Sequence, residues 1–472
     1  MQKQGMVKSI TEVAASNIST LLAGVLVAFL LPKMISVDDY GHYKTFTLYC
    51  TYIGLFSLGI IDGIVLKYGG YDYDSLDRKR FRSYFKWYTA IHLIFAVLIF
   101  SISIFLVEGE ARFIWCSIGV FLILNNITGY FQQISQITQR YREYSARKII
   151  QSVLNVCILI ALYFLYKKGV AFGYRAYLIS WIIINGALTL WYVNTYKVSI
   201  FGESYTFADT KSDIKKLIRE GVPLLVSNLC ATLILTLDRQ FVNILFTNAE
   251  YAIYAFAYNM LSLVTVATSA VSTVLYPTMK RGNYEKLKNN YSYLISMVLF
   301  FVCACESLYF PLSIFVKWFL PKYVDSLVIF RVIFPGLSIS TAITVIMHNY
   351  YKVLGENIRY FRRSLLVLFI SAIANLIAYY FWRTTISISI ASIITMIAWY
   401  LMIESYFYKE FKYDGIKNFL YLVLCLVLFY TVSWLSNDAL ALVIYVQTFL
   451  LLTYLLFRKT FSVGKIKELI NH

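Results

Sequence analysis

A few ionisable side chains lie deep in long apolar stretches, and their types set the chemistry open to this chain. Asp238 and Arg239 follow the run Leu233-Ile234-Leu235-Thr236-Leu237. Helical neighbours point about 100° apart, so direct pairing of these two is awkward. A carboxylate at mid-membrane is costly unless a cation or a fixed partner neutralises it. Asp238 is therefore a candidate for binding a coupling cation, H+ or Na+; the plainer reading is a pair that orients helices. Lys44 stands alone near the start of another apolar stretch, where a lysine either draws an anion or snorkels to the interface. Glu306 and Glu404 are also deep. Asp62 and Arg331 lie near stretch ends, where solvation accounts for them. His92 and His348 are isolated, and two separate histidines make no zinc site. The sequence has no phosphate-binding glycine loop, dinucleotide fingerprint, zinc-protease helix or nucleophile elbow. The chain is thus read as a non-enzyme with no cofactor or metal.

The elements that must hold these groups are membrane helices. Of 472 residues, 59% are apolar and only 14% charged, against about 45–50% and about 25% in soluble domains. The apolar residues run in blocks of about 18–25, enough to cross roughly 30 Å of hydrocarbon. A water-soluble enzyme is excluded; the expectation is an all-α integral membrane protein. About fourteen transmembrane helices are expected, near 10–31, 43–64, 84–107, 112–134, 147–166, 172–195, 221–246, 250–276, 288–310, 325–350, 361–382, 384–407, 416–435 and 438–457. The loops between them leave no room for a soluble domain. Pro32-Lys33 after the first block lacks a small-x-small cleavage site, so an uncleaved first span is expected rather than a signal peptide. All seven cysteines fall in apolar blocks, which gives no disulfide framework. The excess of 43 Lys and Arg over 25 acids sits mostly in short loops. It reads as topology, with both termini cytoplasmic, rather than as a nucleic-acid footprint.

An offset of 211 residues places Ser16-Asn17 on Ser227-Asn228, Leu22 on Leu233, Leu26 on Leu237, Asp39-Tyr40 on Glu250-Tyr251 and Tyr43 on Tyr254. Six spans separate the copies, so each starts from the same membrane face. A parallel repeat of this kind predicts two six-helix lobes with a substrate path between them. The lobes would cover 1–210 and 211–410, with two C-terminal helices and a tail in 411–472. Asp238 falls on Val27 in the other copy, so the repeat itself demands no acid there. Lys44 falls on Ala255.

The run Leu31-Pro32-Lys33-Met34-Ile35-Ser36-Val37-Asp38-Asp39-Tyr40-Gly41-His42-Tyr43 resembles the LPxxLGxxxYGxY end of the first span in polysaccharide flippases. These belong to the multidrug/oligosaccharidyl-lipid/polysaccharide exporter superfamily. Ser57-Leu58-Gly59-Ile60 and Lys67-Tyr68 continue the likeness in the second span. Gly221-Val222-Pro223-Leu224, Leu237-Asp238-Arg239, Tyr251-Ala252-Ile253-Tyr254 and Leu275-Tyr276-Pro277 continue it in the second half. Ala252 departs from the family's glycine.

The resemblance implies a flippase in the bacterial inner membrane. Its substrate would be an undecaprenyl-pyrophosphate-linked oligosaccharide repeat unit, destined for O-antigen, lipopolysaccharide or exopolysaccharide. Membrane lipids, H+ or Na+, and polysaccharide assembly machinery are the partners implied, and nucleic acid is not. On this reading Lys44 and Arg239 would attract pyrophosphate, and Asn17 and Asn228 would donate to phosphate or sugar hydroxyls. Simple helix packing through those amides is the alternative. In related lipid II flippases the acid matching Asp238 binds a coupling cation with residues of span eleven, where this chain offers Asn375. A hydrogen-bonded interhelical amide is the alternative there. A cation-coupled drug exporter of the same superfamily, and less so a membrane polymerase or ligase, are the competing functions.

Overall fold

The computed structural model describes residues 2–262, 279, 284–413 and 415–457. Among these, the regular elements are all helical. This is what hydrocarbon imposes, because backbone N–H and C=O groups there must be satisfied within the segment. Among the described residues ten helices are long and apolar enough to cross a membrane, or up to twelve if each of two bent pairs is one span.

The chain divides into two compact units, Met1–Leu229 and Cys230–His472. The first begins with α1 (Gln2–Met34), α2 (Val37–Cys50) and α3 (Ile60–Tyr68). It continues with α4 (Arg78–Leu106), α5 (Gly109–Ile137), α6 (Tyr141–Lys167), α7 (Tyr174–Thr195) and the short α8 (Lys197–Ile200). Helix α9 (Phe207–Leu245) runs across the division, and α10 follows over 248–262. The second unit goes on with α11 (Tyr284–Glu306), α12 (Tyr309–Phe319), α13 (Ser326–Ile333), α14 (Gly336–Thr341) and α15 (His348–Val353). It ends with α16 (Asn357–Trp382), α17 (Thr385–Phe411), α18 (Ile416–Val432) and α19 (Asp438–Phe457).

Most expected spans coincide with one helix. The second is instead a pair, Val37–Ser57 and Ile60–Tyr68, bent by 59°. The tenth is likewise a pair, Ser326–Ile333 and Gly336–Val353, bent by 44°. The thirteenth is a shorter apolar helix, Ile416–Val432. The part of the eighth beyond residue 262 lies outside the described residues. Helix α9 starts well before its apolar block, and Ile214 and Leu217 in that added length are buried.

The bend in the second span has a local cause. Leu58 and Gly59 both adopt left-handed backbone, with φ of 50° and 76°. For leucine that conformation costs about 1–2 kcal/mol, which the surrounding packing must offset. Gly59 and Gly63, four residues apart, lie against α9. A Cβ on Gly63 would stand 2.3 Å from the Leu217 carbonyl oxygen, and one on Gly221 would stand 1.9 Å from that of Gly59. The backbones of α3 and α9 therefore touch, as small-residue pairs allow in membranes. Beside this contact lies an aromatic core of Tyr84, Tyr88, Tyr130, Phe131, Tyr192 and Tyr196. The loop after α8 is tied back to α4 by Lys79, 2.7 Å from Glu203. That hydrogen bond holds the Glu203 carboxyl below the usual carboxylate range.

A matching turn appears at the 211-residue offset. Ser36 caps α2, accepting from the Asp39 N–H at 3.0 Å while its hydroxyl donates to the Asp39 carboxylate at 2.8 Å. Thr247 accepts from the Glu250 N–H at 3.3 Å, and the Glu250 carboxylate accepts from the Thr247 N–H at 2.9 Å. Such reciprocal capping fixes where each helix restarts. In the second unit α18 and α19 dock on α11 and α12. Lys317 meets Asp438 at 2.6 Å, and Ser296 donates to Asn418 at 2.8 Å.

The glycine contact sets a prediction. Gly221→Ala should lower the thermal midpoint of the purified protein, at a cost of about 1–3 kcal/mol for overpacking. Gly24→Ala, whose Cβ meets nothing within 4 Å, should melt like wild type. Equal melting of the two variants would remove the backbone contact from the account.

Candidate functional site

Asp238 sits two turns before the end of α9 and is 1% exposed. The capped turn at Thr247 sends α10 back, so residues one helical turn apart present the same face to it. Tyr254 donates its hydroxyl to Asp238 Oδ2 at 2.7 Å, and Tyr258 donates to the same oxygen. Oδ1 accepts from the backbone N–H of Arg239 at 2.8 Å. The Arg239 guanidinium donates to the Leu235 carbonyl at 2.8 Å and lies 4.4 Å from the centre of the Tyr258 ring. Tyr258 thus stands between acid and base, its hydroxyl on the carboxylate and its face under the cation. Asp238 and Arg239 are not an ion pair among the described residues.

Asn375 on α16 is fully buried. Its amide N–H donates to the Ser371 carbonyl at 2.8 Å, while its Oδ1 has no hydrogen-bond partner among the described residues. No hydrogen bond joins it to Asp238 among those residues. Just past the end of α9, Phe246 packs against Tyr379 of α16, with ring centroids 5.5 Å apart.

Lys44 and Asn17 belong to the first unit. Lys44 is half-buried on α2, its Nζ 5.4 Å and 5.6 Å from the ring centres of Tyr40 and Tyr43. Asn17 is exposed on α1, and its Oδ1 accepts from Lys148 on α6 at 2.8 Å. Lys148 also donates to the Tyr144 hydroxyl at 3.1 Å. Asn228 is exposed on α9. The neighbouring basic residue Arg147 has a structural job. It is buried, donates to Thr195 at 2.5 Å, and lies 4.4 Å from the Tyr192 ring centre, tying α6 to α7.

Three residues of this arrangement escaped the sequence reading. Tyr254 was aligned with Tyr43 as a repeat match, without a role. Tyr258 carried no signal in a chain with 41 tyrosines. Lys148 carries only the topological signal shared by basic residues near helix ends. Two further acids are enclosed: Glu404 accepts from Tyr291 at 2.5 Å, and Glu306 lies between Ser338 and Tyr445. No group of three His, Cys, Asp or Glu able to hold a metal occurs among the described residues.

The described residues form a multi-pass helical chain with broken second and tenth spans and a hydroxyl-bonded acid in its second half. Its fold is that of the lipid II flippase MurJ in an inward closed conformation, with a TM-score of 0.73 over 97% of this chain and 100% of that one at 15% identity. An inward-facing multidrug resistance MATE family transporter of the MOP superfamily is also similar, with a TM-score of 0.58, 17% identity, and 84% and 95% of the two chains covered. No curated protein matches the chain by sequence. Residues 6–283 match the family model of polysaccharide biosynthesis proteins, and the chain belongs to that family.

The carboxylate's dependence on its phenols is measurable. A double-mutant cycle between Asp238→Asn and Tyr254→Phe, read by unfolding in detergent, should give a coupling of about 1.5–3 kcal/mol, the range for hydrogen bonds to charged groups. Additive effects would show that Tyr254 does not hold Asp238.

Proposed function

We propose that this protein is a flippase. It moves a polyprenyl-pyrophosphate-linked oligosaccharide repeat unit from the cytoplasmic to the outer leaflet of a bacterial cell membrane, with both termini cytoplasmic. One observation carries the reading: a polysaccharide-biosynthesis family match over residues 6–283 in a chain of which 97% shares the fold of a lipid II flippase. The product would feed O-antigen, lipopolysaccharide or exopolysaccharide assembly.

The physics of the task suits the residues. A pyrophosphate-sugar head cannot enter hydrocarbon unaided, because an unpaired charge there costs many kcal/mol. Lys44 in one half and Arg239 in the other would each attract the head group by charge-assisted hydrogen bonds. Asn17 beside Lys148, and Asn228, would add donors for phosphate or sugar hydroxyls. The polyprenyl tail would stay in lipid, and two six-helix lobes, 1–210 and 211–410, would alternate in opening. Asp238 is held by hydroxyl and backbone donors rather than by a basic side chain. A coupling H+ or Na+, with Asn375 as a further ligand, could bind there and leave without breaking an ion pair.

One observation favours a second reading. An acid flanked by two tyrosines also suits an organic cation, as a drug exporter would need. Arg239 argues against it, since the guanidinium already lies on the Tyr258 face. Depleting the protein from its own cells separates the two. A flippase deficit should accumulate lipid-linked oligosaccharide on the cytoplasmic side. Complementation by Lys44→Ala or Arg239→Ala should fall by about 10-fold or more if each cation contributes about 1.5–3 kcal/mol. Sensitivity to cationic drugs, with no accumulated lipid-linked sugar, would favour the exporter.

A further inference from the structure

Glu306 ends α11 just before the chain breaks into α12, and it is fully buried. Three elements meet at its carboxyl group. From α14, immediately after the bend at Pro335-Gly336, the Ser338 hydroxyl donates to Oε1. From α19, the Tyr445 hydroxyl lies 3.1 Å from Oε2. The same hydroxyl lies 2.7 Å from the Cys303 carbonyl oxygen of α11 itself. Cys303 Sγ, 3.5 Å from Ser338 Oγ, closes the ring.

Counting hydrogens decides the state of this ring. A phenol has one hydrogen, and a carbonyl only accepts. The Cys303 carbonyl belongs to the last turn of α11, where no following helical N–H remains to serve it. The N–H of Ser307, its ordinary partner, goes to Ala304 instead. Tyr445 therefore gives its hydrogen to Cys303, over the shorter of its two contacts. Its oxygen then turns lone pairs toward Glu306 Oε2. Were Glu306 a bare carboxylate, two acceptors would face each other in a buried site. Turning the hydrogen to Glu306 would only strand the carbonyl. Either arrangement leaves a buried acceptor without a donor, which costs about 1–3 kcal/mol.

A hydrogen on Oε2 removes the conflict. Glu306 then donates to Tyr445, Tyr445 to the Cys303 carbonyl, Ser338 to Oε1, and the Cys303 thiol to Ser338. Every polar atom of the ring is satisfied. Among the described residues, the titratable groups that interact with the ring include no cation: they are Cys303 and Cys305 on α11, Cys425 and Tyr430 on α18, and Tyr445 on α19. Among the described residues no Lys, Arg or His forms an ion pair with Glu306. Asp238 is built the opposite way, with donors on both oxygens.

We propose that Glu306 is a proton-binding site, a carboxylic acid whose hydrogen fastens α19 to the end of α11 and, through Ser338, to the bent span α13–α15. The helix pair α18–α19, which lies outside the 211-residue repeat, is thereby held by a proton-dependent clasp. Loss of that hydrogen leaves a buried charge with no counter-charge and turns the Tyr445 contact repulsive. The site is separate from Asp238 and does not depend on what the protein carries.

Infrared spectra of the full-length protein in lipid vesicles, titrated with acid and base across neutrality, test this. Wild type should show the C=O band of a protonated carboxylic acid at neutral pH, shifted by exchange into D2O. Glu306→Gln should lose that band while melting close to wild type, because the amide donates to Tyr445 and accepts from Ser338. Ser338→Ala, which removes the donor to the acid's carbonyl oxygen, should move the band to higher wavenumber. It reads the site even where Glu306→Gln fails to fold. Coincident wild-type and Glu306→Gln spectra in the carboxylic-acid region, or a band unmoved by Ser338→Ala, would overturn the proposal.

Discussion

Inside hydrocarbon there is no water to satisfy a polar group, so each one must find its partner within the chain. This constraint makes the described elements helical. It also singles out the few acids that the interior keeps. Asp238, Glu306 and Glu404 all take hydrogen bonds from hydroxyls, and none is answered by a basic side chain among the described residues. Buried pairs of opposite charge would lock helices together at a desolvation cost. Hydroxyl partners hold an acid in place without that lock.

Helix α9 combines two kinds of contact. Its first half gives up side chains, at Gly221 opposite Gly59, so that two backbones touch. Its second half carries Asp238 and Arg239, whose side chains share Tyr258. The glycine contact fixes the helix without polar groups, and the acid then stands in a defined place relative to α10. The capped turn at Thr247 and Glu250 determines where α10 starts, and with it the register of Tyr254 and Tyr258.

Much of this was legible in the sequence. Hydrophobic block length gave the helical membrane class and nearly every span, because hydrocarbon thickness sets a length that composition reveals. The offset of 211 marked Ser36 to Tyr43 and Thr247 to Tyr254, where the matching caps occur. What failed to show was anything set by backbone geometry or by contact between distant segments. The break at Leu58-Gly59 falls inside the expected second span, and leucine in left-handed backbone leaves no trace in composition. Asp238 was visible as a buried acid, but its partners were not. Tyrosine is too common here to mark two of 41 as special. Lys148 beside Asn17 was hidden because a basic residue near a helix end has a sufficient topological reason to be there. Glu306 was seen to be deep, and only the convergence of α14 and α19 gives it a role.

The central claim is that the chain carries a charged, sugar-bearing lipid head across a bilayer. The most direct measurement uses vesicles with the purified protein and a polyprenyl-pyrophosphate-linked oligosaccharide placed at first in one leaflet. A membrane-impermeant enzyme that cleaves the sugar reports how much head group reaches the other leaflet over time. The account predicts fast, protein-dependent exposure in wild-type vesicles and slow exposure in vesicles bearing Arg239→Ala. Exposure no faster than in protein-free vesicles, with the folded protein present and the ion gradient imposed, would contradict it.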